Sequence, residues 1–130
     1  MTSYDDLDLR ASLGLAAEPA SAAAARRFIR DFCIAADLPD DVCQKAALLV
    51  SELVTNAIIH GRTRATLTAE RPGGCLRVSV QDSNPHLPDP ANPTADSESG
   101  RGMRIVMTVA DRWGVDTSID GKAVWFELDL

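Results

Sequence analysis

Imidazole and thiol are scarce in this chain: two histidines, His60 and His86, and three cysteines, Cys33, Cys43 and Cys75, in 130 residues. An odd number of cysteines with no C-x-x-C spacing argues against a disulfide framework and against a zinc knuckle; buried free thiols are the expected state. Positive charge is also short. Thirteen Lys and Arg stand against nineteen Asp and Glu, for a formal net charge of −6. Nucleic acid is bound by clustered cations that displace counterions, so direct DNA or RNA recognition is disfavoured. An acidic surface remains compatible with a basic protein partner. No apolar run approaches the roughly 18 residues of a membrane span. The start, Met1-Thr2-Ser3-Tyr4-Asp5-Asp6, lacks the basic head and apolar stretch of a secretory signal. A soluble cytoplasmic protein with no membrane contact is expected. There is no internal repeat, no P-loop and no G-x-G-x-x-G fingerprint in a β-α-β setting.

What is present is ordinary material for one domain: 45% hydrophobic and 25% charged residues. Residues 1–8 read as a loose acidic arm and 9–130 as the domain. Leu9, Ala11, Leu13 and Leu15 alternate with polar or small residues, the period of a half-buried strand. Pro19 suits the entry to a helix over Ala20–Ala36, with Phe28, Ile29, Phe32 and Cys33 as apolar positions. A second helix carries Ala46, Leu49, Val50, Leu53, Val54, Ala57 and Ile58 at three- and four-residue steps. Asp40 or Asp41 is its expected cap and Gly61 its expected terminator. Strands follow at 65–70 and 75–82 around a Pro72-Gly73-Gly74 turn, and at 113–117 and 123–128 around Asp120-Gly121. A helix is expected over Arg101–Ala110. The order β-α-α-β-β-loop-α-β-β predicts an α+β two-layer sandwich, a mixed but mostly antiparallel sheet with helices on one face.

Three places carry chemistry. Glu52, Asn56 and His60 stand four residues apart on the second helix. On a regular α-helix they advance by about 40° and about 6 Å per step, so they share one shallow stripe. A carboxylate one turn from an amide oxygen suits a base beside a metal ligand; the plainer reading is the solvated border of an amphipathic helix. Asp82 closes a strand at the mouth of residues 83–100, a loop without hydrophobic periodicity and of the length used for lids and binding loops. There a carboxylate can accept from an exocyclic amine such as that of adenine, or it can simply start a turn. Ser99-Gly100-Arg101-Gly102-Met103 then leads into a helix. Its glycines permit close backbone approach, and free N–H groups at a helix start favour an anion, most often phosphate. Arg101 or Arg104 can add a charge-assisted contact.

In this order the motifs resemble those of the GHKL ATPases, which share the Bergerat fold. Ser51–His60 looks most like the small anti-sigma-factor serine/threonine kinases of bacteria. Arg101–Val106, Ala110–Val115 and Val124–Leu128 look like the actinobacterial branch. The resemblance spans about residues 9–130. It implies that Glu52 is the general base, that Asn56 coordinates Mg²⁺ on the phosphates of ATP or ADP, and that Asp82 reads the adenine amine. Gly100, Arg101, Gly102 and Met103 would line the phosphates, with His60 in a packing or phosphate-proximal place. A STAS-type anti-anti-sigma protein is the implied substrate and a sigma factor a further partner; a homodimer is the family habit. The alternative is a nucleotide-binding partner switch without kinase turnover. Two departures stand out. Asp82-Ser83-Asn84-Pro85 lacks the usual glycines, and Ala123 matches the place of a threonine that commonly supports the adenine. One missing hydrogen bond there costs on the order of 1 kcal/mol.

Overall fold

The computed structural model describes residues 9–83 and 97–130. The acidic arm expected at 1–8 and most of the loop expected at 83–100 lie outside the described residues. The elements run β1 (Leu9–Leu15), α1 (Ala20–Ala35), α2 (Asp40–Val54), a π-helical segment (Thr55–His60), β2 (Ala65–Arg71), β3 (Cys75–Asp82), α3 (Ser97–Val109), β4 (Arg112–Ser118) and β5 (Gly121–Asp129).

The strands form one sheet in the order β1-β2-β3-β5-β4. Every pairing is antiparallel, where a mixed sheet is the sequence expectation. The reason lies in the crossover. α3 carries the chain from β3 to β4, which run the same way, but β5 fills the place between them. Two like-directed strands are thereby never neighbours.

Strand alternation divides the sheet cleanly. On the helix-covered face, Leu76 lies across from Leu128, Val78 from Phe126 and Val80 from Val124, all buried. The same register ends with Asp82 across from Lys122. On the open face, Arg77 lies across from Glu127, Ser79 from Trp125 and Gln81 from Ala123. There the Arg77 guanidinium stacks 4.2 Å from the Trp125 ring centre and donates to Glu127 at 3.1 Å. Arg112 of β4 donates to Glu127 at 2.6 Å and pairs with Asp129.

α1 packs on β1, β2 and α2, and α2 in turn on β3 and β5. α1 buries Ala25, Ile29, Phe32 and Cys33; its entry is tied by the Ser21 hydroxyl, which donates to the Ala16 carbonyl at 2.8 Å. α2 begins after Pro39 with no side-chain cap, so neither Asp40 nor Asp41 has the capping role expected of it. Both sit in the first turn, where their charge favours the positive end of the helix dipole. The three cysteines are free; burial and the adjoining Cys43 push the Cys33 thiol up to about 12. No helix among the described residues is long and apolar enough to cross a membrane.

Candidate functional site

The helix that carries Glu52 does not stay α-helical. It is regular through Val54 and then widens into a π-helical segment, Thr55–His60. The apolar positions on either side of the change, Leu53, Val54, Ala57 and Ile58, are all buried. The widened turn is closed by the Gly61 N–H, which donates to the Asn56 carbonyl at 2.8 Å, five residues back. Thr63 N–H reaches the Ala57 carbonyl at 3.3 Å. Gly61 is needed for room rather than for reversal. A β-carbon there would lie 2.6 Å from the Ala57 oxygen, while its φ is an ordinary −81°. The left-handed residue that turns the chain out is Arg62, with φ of 56°, so the terminator lies one place later than expected.

This widening alters the stripe drawn for a regular helix. Glu52 ends the α-helical part; Asn56 and His60 belong to the π segment, with more residues to the turn. Glu52 and Asn56 are both half-buried. The Asn56 amide nitrogen is fully enclosed and has no hydrogen-bond partner among the described residues. Leaving such a group unsatisfied costs about 1–3 kcal/mol, and native structures do so rarely. A π turn with an orphaned amide is a place shaped for something other than its own stability. One residue before Glu52, the Ser51 hydroxyl accepts from Arg26 of α1 at 3.1 Å. Arg26 was invisible as a site residue, because nothing in an alanine-rich helix marks one arginine as the anchor of another helix.

Asp82 is 7% exposed at the end of β3, and the π segment packs against β3 and α3. Three elements singled out by their motifs thus meet at one end of the sheet. The carboxylate of Asp82 is held by the Lys122 ammonium, 3.1 Å from Oδ2 and 3.2 Å from Oδ1. This corrects the place assigned to Ala123. Ala123 lies on the open face across from Gln81, and the residue beside Asp82 on its own face is Lys122. A one-residue offset in register exchanges the faces of a strand.

α3 starts at Ser97, four residues before the expected Arg101. Gly100 and Gly102 therefore fall within its first two turns rather than ahead of them. The polar first turn, Ser97-Glu98-Ser99, offers no apolar periodicity by which to see it. Met103 is 1% exposed and belongs to the hydrophobic core with Val106, three residues on. A methionine in step with the apolar face of a helix packs inward. The side chains of His60, Gly100, Arg101 and Gly102 lie outside the described residues. A cavity of about 390 Å³ opens at the other end of α2, beside Cys33, Asp40 and Cys43. It lies about 18 Å along the helix from Glu52 and is no part of this site.

Among the described residues no cluster of three or more His, Cys, Asp or Glu could hold a metal ion by itself. The donor set fits Mg²⁺ nonetheless, because that ion keeps most of its waters and is usually bound by one or two protein oxygens together with phosphates. The Asn56 side-chain oxygen would be the protein ligand, and the orphaned atom beside it, the amide nitrogen, is a donor suited to a phosphate oxygen rather than to the metal.

A family model for the histidine kinase-like ATPase domain matches residues 15–128. An uncharacterized protein of Streptomyces coelicolor is 37% identical over 82 residues, covering 58% of this chain and 76% of that protein. Among solved structures, the RsbU and RsbW domains of Rv1364c from Mycobacterium tuberculosis superpose with a TM-score of 0.73 at 16% identity. That match takes in 94% of this chain but only 32% of the mycobacterial one. The histidine kinase domain of the blue-light activated kinase EL346 from Erythrobacter litoralis gives 0.53 at 25% identity, over 72% of this chain and 46% of that one.

Proposed function

The chain belongs to the histidine kinase-like ATPase domain family, and from that premise we propose that it is a Mg-ATP-dependent protein serine/threonine kinase of the anti-sigma type. Its substrate is a hydroxyl on a STAS-type anti-anti-sigma protein, and its output is the release or capture of a sigma factor. The observation that supports this reading is the Asn56 amide nitrogen, an enclosed donor without a partner among the described residues, one turn beyond Glu52; it suits an anionic oxygen of a nucleotide and leaves the side-chain oxygen to a metal.

Each residue has a defined task. Asn56 would hold a magnesium ion through its side-chain oxygen, and the ion would supply charge neutralisation at the nucleotide phosphates. Glu52 accepts the proton of the attacking hydroxyl as its oxygen bonds to the γ-phosphorus and the bond to the ADP oxygen breaks. Ser51, fixed to Arg26, keeps that stretch of α2 from rotating. Asp82 receives the base amine at the end of β3. Gly100, Arg101 and Gly102, in the opening turns of α3, would line the phosphates.

Calorimetric titration of Mg-ATP and Mg-ADP into the purified protein tests the site. Binding is expected to require Mg²⁺ and to be lost in Asn56→Ala. Transfer of γ-phosphate to a STAS partner is then expected in the wild type and not in Glu52→Ala. An unchanged transfer rate in that variant removes Glu52 as the base. A second reading rests on Lys122, which already occupies the Asp82 carboxylate: the domain holds nucleotide as a partner switch without turnover. Stoichiometric phosphorylation of the partner eliminates it.

A further inference from the structure

The α1–α2 turn, at the far end of α2 from Glu52, brings two thiols together. α1 closes on a left-handed residue, Asp37, with φ of 55°. The Leu38 N–H reaches back to the Cys33 carbonyl at 3.0 Å and the Asp37 N–H to the Ile34 carbonyl at 3.1 Å, the paired bonds of a Schellman close. α2 starts at Asp40, and at the end of its first turn the Cys43 thiol donates to the Leu38 carbonyl at 3.8 Å. Leu38 is thus tied through its backbone to both cysteines. Cys43 directs its one proton at Leu38, so the hydrogen bond between the two thiols is donated by Cys33. Cys33 is 2% exposed and Cys43 half-buried. Both line the cavity of about 390 Å³ at this corner, which opens a path for a small solute.

We propose that Cys33 and Cys43 are a dithiol that hydrogen peroxide converts, reversibly, to a disulfide clamping α1 to α2. Cys43, the more accessible of the two, reacts first as its thiolate. Its sulfur attacks one peroxide oxygen, the O–O bond breaks, and hydroxide leaves to be protonated to water. Cys43 is then a sulfenic acid. The Cys33 sulfur attacks the Cys43 sulfur; the S–S bond forms, the S–O bond breaks, and the hydroxyl leaves with the Cys33 proton as water. Two thiols and one peroxide become one disulfide and two waters, and the two electrons lost by sulfur reduce the peroxide. The order of attack follows from the surroundings. Burial, the hydrogen bond to Cys43 and the charge on Cys43 push the Cys33 thiol up to about 12, so Cys33 is not the first to react. The last two of these causes end once Cys43 carries oxygen in place of charge. Cys75 is the built-in contrast: it begins β3 in register with the open face of the sheet, and burial and the neighbouring Glu127 carboxylate raise its pKa. α1 and α2 are already joined farther along by Arg26 and Ser51, so the bridge ties the helix pair at two places.

The test is peptide mapping by mass spectrometry. The reduced, folded chain is treated with an equivalent of hydrogen peroxide, quenched with catalase, and its remaining thiols are alkylated with N-ethylmaleimide in urea. The expected product has lost two hydrogens, holds Cys33 joined to Cys43, carries maleimide on Cys75 alone and reverts with dithiothreitol. Cys43→Ser is expected to form no bridge, and Cys33→Ala to leave a Cys43 sulfenic acid that dimedone captures. A Cys43 oxidised to sulfinic acid while Cys33 stays open to alkylation overturns the proposal. So does a bridge through Cys75 in place of this one, and so does a chain whose three thiols are all still alkylated. Should either variant fail to fold, the wild-type map decides. None of these readings depends on nucleotide binding, so the kinase reading and this one stand or fall separately.

Discussion

The strands β3 and β5 run side by side for eight residue pairs, and their two ends are built on opposite terms. At the Cys75–Asp129 end, polar groups are over-provided. Glu127 accepts from both Arg77 and Arg112, Arg112 also binds Asp129, and the Asp129 N–H donates to the Asp111 carboxylate at 2.7 Å. At the Asp82–Lys122 end, an ion pair is buried, the neighbouring helix is widened to a π turn and Asn56 has an enclosed amide with no partner among the described residues. The first end is close to water, where such pairs are individually worth about 0–1 kcal/mol. The second takes on a cost that a stability argument alone would remove. Each end holds one enclosed donor without a partner among the described residues, the Arg71 Nε at the first and the Asn56 amide nitrogen at the second, and only the second joins it to a buried ion pair and a widened helix.

The sharpest way to break this comparison is Asn56→Ala. If the orphaned amide serves a ligand, nucleotide affinity drops by about 100-fold or more while folding stability stays within about 1 kcal/mol. Parallel calorimetry and chemical denaturation measure both, and a large stability loss with affinity kept would reverse the assignment. Next in size is Gly121→Ala, whose β-carbon would collide with the Asp82 carbonyl and forces β5 away from the end of β3. A loss of about 2–3 kcal/mol is expected, together with weaker nucleotide binding, because the same shift separates Lys122 from Asp82. At the other end, Glu127→Gln is expected to cost about 1–2 kcal/mol in urea unfolding and to leave nucleotide affinity unchanged. The smallest effect is in pH. Hydrogen bonds from Arg112 hold the Glu127 and Asp129 carboxyls below their ordinary values. Their contribution is complete above the unfolded carboxylate pKa and is lost as pH falls through the lower, folded values. Acid unfolding curves of the wild type should therefore be steeper than those of Glu127→Gln.

Much of the fold was legible because strands advertise their faces. The alternation in Leu9–Leu15 and Cys75–Asp82 marks strands that the structure places at the same bounds. Strand order was not legible, since tight turns name only β2–β3 and β4–β5 as neighbours; the insertion of β5 between β3 and β4 depends on the path of α3. The π turn was hidden for a different reason. Leu53, Val54, Ala57 and Ile58 keep helical spacing through it, and only the crowding at Gly61 reveals the extra width. Lys122 escaped notice because a lysine next to a turn reads as solvated until its register partner is known. Its role depends on Asp82, 40 residues earlier.

The position of β5 also has a consequence in time. Synthesis delivers this strand after both of the strands it must lie between. Until β5 has left the ribosome, β3 and β4 each present a bare hydrogen-bonding edge, and Phe126 and Leu128, two of the most enclosed side chains, are missing from the core. The nascent chain can form its α1–α2 hairpin and its β1-β2-β3 meander early, but the sheet cannot close stepwise. A ribosome that stalls just short of β5 would hold a chain with two open edges, prone to association rather than a partly working domain.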